Sequence, residues 1–130
     1  MRKPNNPIFS GVTVVTGTVT QSLPIDVIDL GGFSIQLTFA VTSSAGLTGS
    51  VKLQGSLDRA DQRSAAETQV TNWAIISGSA ANFTIPSGSG TESHNILWNW
   101  PGVYFPWVRP VVTVTAGTGS LSGRFVGKGT

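Results

Sequence analysis

The stretch that decides the fold runs from Leu97 to Lys128, LWNWPGVYFPWVRPVVTVTAGTGSLSGRFVGK. It carries Trp98, Trp100 and Trp107, three of the chain's 4 tryptophans, and Tyr104, its only tyrosine. From Tyr104 to Thr115 the side chains alternate. Tyr104, Pro106, Val108, Pro110, Val112 and Val114 share one face, and Trp107, Arg109, Val111, Thr113 and Thr115 share the other. From Ser120 to Val126, Leu121, Gly123 and Phe125 oppose Ser120, Ser122 and Arg124. A repeat of two is the signature of a strand with one apolar face. The glycines of Ala116-Gly117-Thr118-Gly119 allow the positive φ of a tight turn, so the pattern predicts a hairpin. Pro106 and Pro110 lack an N–H, which predicts an edge or a bulge where the hairpin begins.

The rest of the chain reads the same way. Val12–Thr20 is almost wholly β-branched, with Gly17 expected as a bulge. Ile25–Leu30 is a short strand, turned by Gly31-Gly32. In Phe33–Val41 the apolar Phe33, Ile35, Leu37, Phe39 and Val41 alternate with Ser34, Gln36 and Thr38. Ser50–Leu57 alternates too, and Thr71–Ser77, Asn82–Pro86 and Ser93–Trp100 complete the set. Asp58–Gln69 is the one polar, charge-dense segment and the place for a helical turn or an exposed loop. Eight or nine strands with turn signals between them predict an all-β fold, a single β-sandwich of jelly-roll type over residues 11–130. An immunoglobulin-like sandwich is the alternative. Residues 1–10, with Pro4 and Pro7, are expected to form an extended arm tipped by Ile8 and Phe9, either a frayed terminus or an arm that docks on a neighbouring subunit.

Composition narrows the chemistry. The 130 residues include no cysteine, which excludes disulfides, thiolate zinc sites and cysteine nucleophiles. Charged residues make up only 11% of the chain, a composition that favours association. The net charge of +2 equals the contribution of Arg2 and Lys3, so the body is neutral and nucleic acid is not expected as a partner. No apolar run approaches the length of a membrane span, and MRKPNNPIFSG does not read as a secretory signal. Synthesis and retention in the cytoplasm, or export only within a larger particle, is the expectation.

The titratable inventory is small. His94, the only histidine, stands near Glu92 with no evident catalytic partner, and no Gly-x-Ser-x-Gly elbow is present. Asp58 and Asp61 are interleaved with Arg59 and Arg63, which would hold the carboxylates ionised. Asp26 and Asp29 read as turn residues. Neither an enzyme nor a metal or cofactor is expected. The aromatics divide into Trp73 and Trp98, expected in the core, and Trp107, expected on the outward face beside Arg109. Tryptophan and arginine there fit an interface or a sugar-stacking surface. The expected interface residues are Ile8, Phe9, Trp100, Trp107 and Arg109.

Several segments resemble one protein family. Ser50-Val51-Lys52-Leu53-Gln54-Gly55-Ser56 is followed by Asp58, then Asn72-Trp73 with Ile76 shortly after. Tyr104 and Pro106-Trp107-Val108-Arg109-Pro110-Val111 follow, and then Gly117-Thr118-Gly119-Ser120-Leu121, Gly123-Arg124-Phe125 and Gly127-Lys128-Gly129. Together, over about residues 11–129, they resemble small all-β structural proteins of tailed bacteriophages, from which Arg59–Gln69 departs as a longer insertion. The resemblance implies a non-enzymatic virion protein, made in the host cytoplasm. Within the virion a capsid decoration or cement protein on the capsid surface is expected, bound to the major capsid protein and to other copies of itself as a dimer or trimer. A tail or fibre component, or a carbohydrate-binding module, recognising a host glycan is the alternative.

Overall fold

The computed structural model describes residues 2–22, 24–27, 30–42, 46–57, 72–86, 93–101 and 106–129. The helical turn expected within Asp58–Gln69 lies outside them. Among the described residues nine strands follow one another: β1 (Arg2–Val15), β2 (Val19–Gln21), β3 (Ile25–Asp26), β4 (Leu30–Val41), β5 (Leu47–Ser56), β6 (Ala74–Ile75), β7 (Ala81–Ile85), β8 (Ser93–Trp100) and β9 (Trp107–Gly129). All pairings are antiparallel. The first layer has the order β1-β9-β4-β8, and in the second β9 lies between β2/β3 and β5, which is flanked by β6 and β7. The chain is an all-β sandwich.

Both layers share β9, and here the sequence reading needs correcting: the expected hairpin is one strand of 23 residues. Straight, it would span roughly 75 Å, about twice the 36 Å or so across a globule of this length. It bends instead at Ala116–Gly119. Ala116 and Gly117 still pair with β5, whereas Thr118 and Gly119 pair with β1, and Gly119 also faces Val41 of β4. A hairpin of type I′ needs two successive positive φ values, for which glycine is the usual residue, but of the two glycines in Ala116–Gly119 only Gly117 has one, at 93°. One such residue, with the register shift opposite Thr48 and Gly49, bends the strand without reversing it. The chain crosses between layers at the same level once more. β1 ends at Val15, Gly17 turns with φ 82°, and β2 joins the other layer. The Thr16 hydroxyl ties the crossings together, accepting from the Gly117 N–H at 2.9 Å and donating to the Gly117 carbonyl at 3.2 Å.

The core between the layers follows the alternation of the sequence. Phe33, Ile35, Leu37, Phe39 and Val41 of β4 meet Leu121 and Phe125 of β9 on one side, and Leu47, Val51, Leu53, Phe83, Val108, Val112 and Val114 on the other. Phe39 stacks on Phe83 across the layers with ring centroids 4.7 Å apart. Ser79 joins the layers through polar groups. Its hydroxyl accepts from the Leu53 N–H at 3.0 Å and lies 2.6 Å from the Ile76 carbonyl, to which it donates. Its own carbonyl accepts from the Trp98 indole at 3.0 Å.

Three further expectations change. Residues 2–10 are not an arm but the first part of β1, which pairs with β9 from Arg2↔Lys128 to Val15↔Thr118. Phe9 stands opposite Gly123, whose missing side chain leaves room for the ring, so Phe9 is 6% exposed and lies in the core. Proline is tolerated on this strand because it is an edge. Gly31-Gly32 is not a turn but lies inside β4. Pro110 occupies a central strand instead of an edge. Its carbonyl accepts from Ser22 N–H where β2 has ended and β3 has not begun, so the missing proline N–H falls at a break in the neighbouring strand.

Candidate functional site

On the second layer, residues paired across antiparallel strands share a face. Trp107 is paired with Asp26 on β3 and Ser56 on β5, and Arg109 with Gln54 on β5. Gln54 is in turn paired with Ile75 on β6. These residues alternate with Val108 and Leu53, which face the core, and so lie on the outer face. The Arg109 Nε donates to Gln54 Oε1 at 2.8 Å, and its guanidinium carbon sits 4.2 Å from the centroid of the Trp73 ring. Partial burial pushes the Arg109 guanidinium below its ordinary value. The cation is held by stacking and one hydrogen bond, a geometry in which a guanidinium keeps donors for a carboxylate or a hydroxyl.

The expected interface residues separate. Arg109 is half-buried on this outer face. Trp107 has the expected orientation, opposite Val108, but is 4% exposed, so the expectation of an outward, accessible ring fails. Alternation fixes a side chain's face, not what covers it. Among the described residues its indole N–H has no hydrogen-bond partner, and burying such a donor costs free energy. Trp100 is half-buried against the core, Ile8 likewise, and Phe9 is within it. Trp98 lies in the core as expected, but Trp73 does not, because it carries Arg109 on the outer face.

Sequence reasoning missed the Trp73–Arg109 pair and the role of Ser79. The two members of the stack are far apart in the chain and no spacing announces them. Ser79 follows a glycine and reads as turn material. Among the described residues, Asp26 is on β3 of one layer and His94 on β8 of the other. Among the described residues no group of three His, Asp or Glu could hold a metal ion, and no helix is long and apolar enough to cross a membrane.

The outer face of the first layer has a different character. Ser34 donates to Asn99 Oδ1 at 3.0 Å, and Thr38 and Gln36 donate to Asn95 Oδ1 at 2.7 and 3.3 Å. Ser122 and Arg124 of β9 continue this surface, and Leu97 stands between the two asparagines with 66% exposure.

No family model matches the sequence, and no curated protein matches it. Among solved structures the chain is similar to the exported protein XepA of the phage PBSX, with a TM-score of 0.60 at 7% identity over 98% of this chain and 37% of that one. This chain therefore spans little more than a third of XepA. It is also similar to the C-terminal CBM6 of LamC, a laminarinase from Zobellia galactanivorans, with a TM-score of 0.50 at 10% identity over 94% and 98% of the two chains. A third similarity, at the same TM-score and 6% identity, is to 12% of dimeric latent PorU from Porphyromonas gingivalis. At these identities the shared property is the fold.

Proposed function

We propose that the protein is a non-enzymatic structural component of a bacteriophage virion, a decoration or cement domain that binds the major capsid protein from outside the shell. The observation that carries this reading is the outer face of the first layer. Among the described side chains of this face, Ser34, Gln36, Thr38, Asn95, Asn99 and Ser122 form a hydroxyl and amide surface in which Arg124 is the charged member. Burying an ionised side chain at a contact is costly, whereas hydroxyl and amide groups exchange water for protein partners at little net cost. The similarity in fold to a domain-sized part of a phage protein is consistent with it. Quantitative mass spectrometry of purified particles tests the reading. Copies in a fixed ratio to the major capsid protein, lost together with shell stability when the gene is deleted, are expected. A few copies per particle, or none, would refute it.

A second reading rests on the Trp73–Arg109 stack. An indole and a guanidinium on an outward sheet face form a platform on which a sugar ring could lie, with Gln54 and Arg109 offering hydrogen bonds to hydroxyls. In this reading the domain recognises a host glycan. Titration against soluble β-glucans and host-surface polysaccharides, followed by tryptophan fluorescence, tests it, and binding must disappear in Trp73→Ala.

A further inference from the structure

A sheet edge left open invites another strand, and proteins blunt their edges with prolines, charges, bulges or brevity. Among the described residues the two layers have four edges, and three of them are blunted. β1 carries Pro4 and Pro7 and three register shifts against β9. β2 and β3 are 3 and 2 residues long, and β6 and β7 are 2 and 5. The fourth edge is β8. Its 8 residues, SHNILWNW, contain no proline, lysine, arginine or acid, and all pair with β4 in unbroken register from Phe33↔Trp100 to Ala40↔Ser93. Among the described residues no strand pairs with its other side. Leu97, at its centre, is among the most exposed large apolar side chains described.

The sequence of β8 is complementary to itself. In an antiparallel pair centred on Leu97, Leu97 meets Leu97, Asn95 meets Asn99 and Ile96 meets Trp98. Asn95 Oδ1 is occupied by Gln36 and Thr38, whereas among the described residues Asn99 Oδ1 accepts only from Ser34. The Asn95 Nδ2 group can therefore donate to the lone pair left on Asn99 of the second copy, and a two-fold axis makes the same bond twice. We propose that β8 pairs antiparallel with β8 of a second copy of this chain across a two-fold axis at Leu97, joining two first layers into one continuous sheet. Backbone hydrogen bonds supply the attraction, as in strand addition generally, and the leucine pair with its flanking asparagines sets the register. The inference stands apart from the virion reading, since it concerns the free protein in solution.

Sedimentation and cysteine cross-linking of the full chain test it. At high micromolar concentration the wild type is expected to sediment at twice 13.5 kDa. Leu97→Lys, which sets two ammonium groups against each other at a site already open to water, should sediment as a folded monomer with unchanged circular dichroism. The chain has no cysteine of its own, so Leu97→Cys can form a disulfide only with its symmetry mate. Directly opposed residues lie about 4.5–5.5 Å apart at Cα, within disulfide reach. Under mild oxidation Leu97→Cys should become a covalent dimer at least tenfold faster than Asn95→Cys, whose mate lies opposite a different residue. A wild type that stays monomeric, or equal cross-linking at both positions, overturns the proposal; the latter would mean an association that does not use this register.

Discussion

Replacing Gly117 by alanine tests whether β9 must bend where it does. Two costs arise. Gly117 has φ of 93°, a conformation that disfavours an L-residue by about 1–2 kcal/mol. In addition, a Cβ built there would overlap the Gly46 carbonyl oxygen and come within 3.1 Å of the Leu47 Cα. Both are backbone atoms and cannot rotate away, so the added methyl must push two strands apart, at a further cost of roughly 1–3 kcal/mol. Gly17 is the internal control: its φ is 82°, but nothing lies within 4 Å of an added Cβ. Gly17→Ala therefore incurs the conformational cost alone. The expected losses are about 1–2 kcal/mol for Gly17→Ala and about 2–5 kcal/mol for Gly117→Ala. For 130 residues each kcal/mol lowers the thermal midpoint by roughly 4 °C. Urea unfolding of both variants, with a common slope, gives the difference directly. If the two lose the same stability within about 0.5 kcal/mol, the close approach of Gly117 to the Gly46–Leu47 backbone is not a feature of the folded protein.

Ser79→Ala removes the acceptor of the buried Leu53 N–H and should cost about 1–3 kcal/mol by urea unfolding; a neutral result would mean that the serine does not tie the layers. Trp107→Ala should lose about 3–5 kcal/mol, as a core tryptophan does, and Trp107→Phe, which discards the partnerless indole N–H, should lose clearly less; equal losses would refute the assignment. Deleting residues 1–9 removes more than half of β1 together with Phe9, so the product should unfold at least 10 °C lower or fail to fold, an outcome a dispensable arm would not give. Arg109→Ala uncovers one face of Trp73 and should shift the tryptophan emission while costing only about 1 kcal/mol.

Where a strand is half-buried and regular, its residues could be read directly. Phe33–Val41 alternates as expected because β4 packs one face on the core and leaves Ser34, Gln36 and Thr38 outside. Ser93–Trp100 was found with its correct ends. The errors lie where the partner matters more than the local pattern. Gly117 looks the same in sequence whether a strand reverses or bends, and only the presence of β4 and β5 as better partners for its two flanks decides. Pro4 and Pro7 argue against a strand in general but not against an edge strand, and an edge is a property of the assembled sheet. Trp107 was placed on the correct face, yet exposure depends on neighbours distant in sequence. The Trp73–Arg109 stack was invisible for the same reason, since it is β5, paired with both β9 and β6, that brings the two side chains together.

Because β9 is the partner of β1, β2, β3, β4 and β5 alike, it has a consequence for synthesis. Until Trp107–Gly129 has left the ribosome, most of the other strands lack the mate that holds them in a layer, so the nascent chain carries its apolar faces unsheltered. Pairings between residues so far apart form slowly, and exposed strand edges aggregate. Ribosome-bound chains stopped before residue 107 should remain sensitive to protease, and resistance should arise in one step once the whole of β9 is outside the exit tunnel.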